Sequence, residues 1–192
     1  MDKLKVVIAE DEAIIRLDLK EVLEEQGYEV VAEVSNGEEA ILAVKQFKPD
    51  VALLDIKMPG VDGLEAAREI SALNSTAIVF LTAFSQRDLI EQARDAKAVA
   101  YLVKPFQKEE LIPAIEIAVA RFKEAKALEA EVSSLEERLE VRKLLDRAKS
   151  KLMDQYGLSE SESYRFIQTQ AMSRRITMKD VANEILEQKL SP

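Results

Sequence analysis

Read for its hydrophobic and polar positions, the chain shows two rhythms. Up to about residue 110, short apolar runs fall at 6–9, 29–34, 51–54, 77–81 and 99–103. They alternate with amphipathic stretches near 12–26, 37–47, 63–73 and 86–96. Runs this short and rich in Val, Ile and Leu predict strands, and the stretches between them predict helices. Five strands alternating with helices predict a parallel sheet covered on both faces, and near-continuous apolar runs fit strands buried on both sides. Gly27 stands where the first helix should stop and Pro49 follows the second. Asn36-Gly37 and Pro59-Gly60 mark turns.

The second rhythm starts at Lys108. To about Asp154 there is no glycine and one proline, Pro113, which the first helical turn tolerates. Apolar residues recur at Leu111, Ile115, Ala118, Phe122, Ala125, Leu128, Val132, Leu135 and Leu139, spaced by three or four. This is a heptad-like seam with a stammer between Ala125 and Leu128. Such a seam is expected to pair with the same helix of a second copy; folding back onto its own domain is the alternative. After Tyr156-Gly157, Ser159 with Glu162 and Thr177 with Asp180 form capping patterns. They predict helices to about Met172 and about Leu190.

Composition narrows the chemistry. Cysteine and histidine are absent, which excludes disulfides, thiol catalysis, histidine bases and the common zinc sites. The net charge of −9 argues against a general polyanion binder. Residues 138–179 nevertheless hold 10 Lys and Arg against 5 Asp and Glu. No apolar run approaches the roughly 20 residues of a spanning helix, and no signal-type segment is recognisable, so a cytoplasmic chain is expected.

Ligands of open α/β sheets bind beyond the C-terminal ends of the strands. Those ends read Glu10-Asp11, Asp55, Thr82 and Lys104-Pro105. If all strands are parallel, three carboxylates, a hydroxyl and an ammonium meet in one crevice. Such a set suits Mg²⁺, and a carboxylate such as Asp55 can accept a phosphoryl group. Taken singly, each residue also reads as a solvated or capping group; Glu10-Asp11-Glu12 in particular could favour a helix N-terminus.

The runs V-V-I-A-E-D-E, L-L-D-I-K-M-P-G-V-D-G, L-T-A and Y-L-V-K-P-F make residues 4–122 resemble a response-regulator receiver domain. The resemblance implies a flavodoxin-like fold with Asp55 phosphorylated by a sensor histidine kinase. It further implies Mg²⁺ on Asp11, Asp55 and the Lys57 backbone carbonyl, with Glu10 behind them. Thr82 and Tyr101 would be switch residues, Lys104 the phosphate-pairing lysine, and Lys104-Pro105 a cis peptide.

The basic residues of the second part include Arg138, Arg142, Lys143, Arg147, Lys149, Lys151, Arg174, Arg175 and Lys179, with Arg174-Arg175 expected in a loop. They suit a phosphate backbone or form a solvated helix face. The runs R-L-E-V-R-K-L-L-D-R-A-K-S-K-L-M and Y-R-F-I-Q-T-Q-A-M-S-R-R-I-T-M-K-D-V-A resemble the ANTAR RNA-binding output domain. Ser150 and Ser163 depart from its usual glycine and alanine. The resemblance implies a dimer, formed on phosphorylation, that holds RNA hairpins in a nascent leader and prevents termination. Arg138, Arg142, Arg147, Lys149, Lys151, Arg174, Arg175 and Lys179 are the RNA-binding candidates. Tyr156, Tyr164 and Phe166 could stack on a base, although Tyr164 and Phe166 are expected in the core.

The expected organisation is a receiver over 1–122, a long helix whose linker spans 108–136, and a three-helix unit over 135–192. Three alternatives stay open. One is a DNA-binding helix-turn-helix output, disfavoured by Asp180, Glu184 and Glu187 on the last helix. Another is a protein-binding dimerisation output. The third is an aspartyl-phosphate phosphatase, disfavoured by Lys57 where that chemistry wants a second aspartate.

Overall fold

The structure is a computed structural model and describes residues 3–83 and 100–192. The helix expected near 86–96, and Val99, lie outside them. Two compact units divide at residue 127.

The first unit holds β1 (Lys5–Ala9), α1 (Ala13–Glu25), β2 (Glu29–Val34), α2 (Gly37–Phe47), β3 (Val51–Asp55), α3 (Gly63–Ala72), β4 (Ala77–Thr82) and β5 (Ala100–Val103). The strands form one parallel sheet in the order β2-β1-β3-β4-β5, the flavodoxin-like arrangement. Local signals set the helix starts. Asn36 caps α2 by accepting from the Glu39 amide at 2.9 Å, and Asp62 caps α3 through the Glu65 amide at 2.8 Å.

Successive residues of the central strands enter opposite cores. Ala9, Leu54 and Phe80 pack with Ile41, Val44, Leu64 and Ile70 of α2 and α3. Ile8, Leu53 and Leu81 pack with Leu19 and Leu23 of α1 and with Leu111, Ile115 and Ala118. Each fully buried leucine or isoleucine contributes about 1.5–3 kcal/mol. The edge strands differ from expectation. All described residues of β2 and most of β5 keep partial exposure, because each pairs along one side only.

The helix α4 runs from Lys108 to Tyr156. Its heptad seam has two fates. Leu111, Ile115 and Ala118 are core residues of the first unit, which corrects the expectation of a seam free for a partner over its whole length. From Leu128 onward the seam is exposed: Leu128, Val132, Leu135 and Leu139 are 47–60% accessible.

The second unit is completed by α5 (Glu160–Arg174) and α6 (Met178–Leu186). Both expected capping boxes form, Ser159 with Glu162 and Thr177 with Asp180. The core is Ala148, Leu152, Ile167, Ala171, Val181, Ala182 and Ile185. The helix α5 continues past Met172, so Arg174 ends a helix and Arg175 is its left-handed cap. The helix α6 stops at Leu186, short of Leu190. Among the described residues, no helix is long and apolar enough to cross a membrane.

Candidate functional site

The strand ends converge as parallel pairing requires. Glu10 follows β1, Asp55 ends β3, Thr82 ends β4 and Lys104 follows β5. Carboxylate oxygens of Glu10, Asp11 and Asp55 lie within 4.8 Å of one another. Lys104 bridges two of them, with Nζ 2.6 Å from Glu10 Oε2 and 3.0 Å from Asp55 Oδ2. Glu10, Asp55 and Thr82 are buried, whereas Asp11 is exposed. Asp11, Asp55, Lys57, Thr82 and Lys104 line a single pocket. Tyr101, on β5, is 48% exposed, and the Lys104-Pro105 peptide is cis.

Burial pushes the Glu10 carboxyl up, and the Asp55 charge adds to it against the Lys104 hydrogen bond. Burial alone would lower the Lys104 ammonium, but hydrogen bonds from it to Glu10 and Asp55 override that and raise it. None of these acids makes a side-chain cap bond to α1. Glu12 is the N-cap of α1 with no side-chain cap bond, and its amide donates back to Glu10 Oε1 at 3.3 Å. Three carboxylates against one ammonium leave negative charge inside a concave oxygen-rich pocket, which fits a hard divalent cation.

Residues outside the sequence-derived set shape this pocket. Arg16 on α1 donates to the Glu10 carbonyl and, at 3.5 Å, to the Asp11 carbonyl. Gly63 opens α3 against the end of β3: a Cβ there would stand 1.9 Å from the Asp55 carbonyl oxygen. Its amide donates to the Ile56 carbonyl at 3.0 Å. The V-D-G triplet holds Gly63, but spacing alone does not show that its missing side chain seats Asp55.

The basic residues of the second unit do not act alike. Lys149 pairs with Asp146 at 2.9 Å and Glu160 at 2.8 Å. Lys151 donates to the Leu186 carbonyl at 2.9 Å. Arg174 grips Glu184 with two hydrogen bonds, one of 2.7 Å from Nη2. These three candidates tie the helices together. Arg138, Arg142, Arg147, Arg175 and Lys179 are exposed and have no hydrogen-bonded or ion-paired partner for their side chains among the described residues. Arg165, also exposed, was missing from the candidates.

Tyr164 corrects another expectation: it is 45% exposed rather than core. Its neighbours Ser163 and Ile167 occupy the inward face instead. Phe166 is half-buried against the core, and Tyr156 is 48% exposed.

Comparison with known proteins follows the same division. Residues 6–116 match the response regulator receiver domain and residues 133–186 match the ANTAR domain. The chain is 56% identical over 183 residues to the transcriptional regulatory protein PdtaR of Mycobacterium tuberculosis, covering 95% of this chain and 89% of that protein. It is 37% identical over 112 residues to the chemotaxis protein CheY of Thermotoga maritima, covering 58% and 93%. Among solved structures, the receiver domain of a modulated diguanylate cyclase from Desulfovibrio desulfuricans G20 aligns with a TM-score of 0.60 at 33% identity. That alignment covers 64% of this chain and 98% of the other.

Proposed function

The chain belongs to the response-regulator family, with a receiver domain joined to an ANTAR domain, and on that premise we propose a phosphorylation-controlled, RNA-binding transcription antiterminator. The observation that carries the reading is the Glu10, Asp11 and Asp55 carboxylate cluster bridged by Lys104.

Asp55 is the phosphoacceptor. Its carboxylate oxygen attacks the phosphorus of a phosphohistidine on a sensor histidine kinase. An O–P bond forms, the P–N bond breaks, and the electron pair leaves on the imidazole nitrogen. Asp11, Asp55 and the Lys57 carbonyl would hold Mg²⁺, with Glu10 behind them. When bound, Mg²⁺ offsets the negative charge of the phosphoryl oxygens. Lys104, whose Nζ lies 3.0 Å from Asp55 Oδ2, would pair with one of those oxygens. Thr82 and Tyr101 change with the new acyl phosphate and alter the receiver face. The chain is a phosphoacceptor with Mg²⁺-dependent self-phosphorylation and autodephosphorylation chemistry, not an enzyme turning over a separate substrate.

The output is RNA binding in the cytoplasm by a homodimer. The exposed seam from Leu128 to Leu139 supports pairing with a second copy, since four large apolar residues at heptad spacing lack cover among the described residues. The cations without partners among the described residues support a phosphate-backbone contact, and hairpin loops offer the unpaired bases that a duplex hides. Tied in place, Lys149, Lys151 and Arg174 position the helices rather than contact RNA.

Binding to a pool of hairpin RNAs and a pool of DNA duplexes at near-physiological salt tests the reading. It is run with and without Mg²⁺ plus acetyl phosphate, beside Asp55→Ala. RNA binding that strengthens on phosphorylation and loses that gain in Asp55→Ala is expected. A preference for DNA, or no nucleic-acid binding in either state, overturns the antiterminator reading.

A further inference from the structure

We propose that a groove in the second unit, between the end of α4 and the chain after α6, receives one unstacked nucleobase of a hairpin loop. The inference rests on the RNA-binding reading and gives it a base-reading site. The groove is lined by Gln155, Tyr156, Ile185, Gln188, Leu190 and Ser191. None of these was a candidate except Tyr156, and none carries a charge.

The lining suits a base better than a phosphate. Tyr156 offers a ring that is 48% exposed although it ends a long helix. Aromatic faces stack on any base. Leu190, partly exposed, supplies apolar surface beside the buried Ile185. Gln155 and Gln188 each bring an amide with a carbonyl acceptor and an NH₂ donor, the pair that reads adjacent donor and acceptor atoms on a base edge. The ammonium of Lys151 is occupied by the Leu186 carbonyl, and no lysine or arginine is among the lining residues.

Gln188 is held in place by its backbone. It sits at φ 62, in the left-handed region. Its backbone N–H donates to the Ile185 carbonyl at 3.2 Å, and the Lys189 backbone N–H donates to the Glu184 carbonyl at 2.8 Å. Glycine is the residue that adopts this conformation without strain. A glutamine here presents its side chain at the expense of backbone comfort. That same geometry supplies a clean test, because Gln188→Gly deletes the amide and relieves the strain together.

The experiment measures phosphorylated full-length chain against hairpin RNAs with randomised loops and against the same stems closed without unpaired bases, across a salt series. Gln188→Gly is expected to bind the looped pool about tenfold more weakly, with unchanged salt slope and a melting temperature equal to or above the parent. Tyr156→Ala loses roughly 5- to 100-fold, whereas Tyr156→Phe keeps the ring and the affinity. Equal looped-RNA affinity of parent, Gln188→Gly and Tyr156→Ala overturns the base site and leaves the antiterminator reading standing. A loss accompanied by a shallower salt slope also overturns it, because phosphate contact then explains the effect. Failure of the parent to bind either pool removes the RNA reading and the base site with it.

Discussion

The two units keep their charged groups under opposite regimes. In the receiver, Glu10 and Asp55 are buried and share one ammonium, so few arrangements satisfy them. In the helical unit the ionic groups sit at the surface, where a cation can equally tie two helices or stand free. Burial makes charge specific; exposure makes it ambiguous. A cluster at strand ends therefore reads as chemistry, while a basic stretch must be divided into ties and contacts before it means anything.

The comparison breaks most sharply at Asp55. Asp55→Ala is expected to abolish hydroxylamine- and alkali-labile phosphorylation by acetyl phosphate and Mg²⁺, read by mass spectrometry of the intact chain; undiminished labelling would move the phosphoacceptor elsewhere. Next comes the packing around it. Gly63→Ala pushes a methyl group into the Asp55 carbonyl and should lower receiver stability by roughly 1–3 kcal/mol in denaturant titration. Gly60→Ala, at φ 74 but with open space around its Cβ, should cost about 1 kcal/mol. Equal losses would mean that close approach at Asp55 is not what Gly63 provides.

The helical unit should respond in the other direction at Ser163. Its hydroxyl is buried without a hydrogen-bond partner among the described residues, so Ser163→Ala should stabilise by about 1 kcal/mol. A loss of stability would reveal a partner for that oxygen. Among the cations, Arg175→Ala should reduce the salt slope of RNA binding by about 0.7–0.9, while Arg174→Ala, by freeing Glu184, should act through folding. Identical slopes would end the distinction between ties and contacts.

Acid gives the mildest test. Hydrogen bonds from the Ser159 hydroxyl and amide hold Glu162 below the usual carboxylate range, and those from Thr177 do the same for Asp180. Depressed carboxyls stabilise the folded state fully above their unfolded pKa of about 4, and that contribution disappears as pH falls through the folded values. Amide resonances of Glu162 and Asp180 should therefore shift and broaden on acidification below about pH 4. Invariant signals would show that the caps do not depend on ionisation.

Much of this was legible in the chain. The hydrophobic pattern located β2 and α2 to the residue, and the polar strand ends pointed to the receiver pocket, because parallel pairing leaves them nowhere else to go. The capping boxes were legible because their partners lie three residues apart. The ties Lys149–Glu160, Arg174–Glu184 and Lys151–Leu186 were not: they join residues 10 to 35 positions apart, beyond any local pattern. Heptad spacing likewise could not distinguish Leu111, Ile115 and Ala118, which pack on their own sheet, from Leu128, Val132, Leu135 and Leu139, which are exposed. Tyr164 misled because alternating faces of α5 accept either an aromatic or a small residue inward, and Ser163 took the inward place.

The paired capping boxes also bear on the order in which the molecule forms. Each short helix of the second unit begins from instructions contained within four residues, so its nucleus can assemble in microseconds once the chain is available. The sheet has no such shortcut. The first hydrogen bond joining β1 to the β3 region, from the Lys5 amide to Asp50, closes a loop of 45 residues, and parallel pairing gains nothing until that closure entropy has been met. Although the receiver leaves the ribosome first, the helical unit is expected to finish folding in less time.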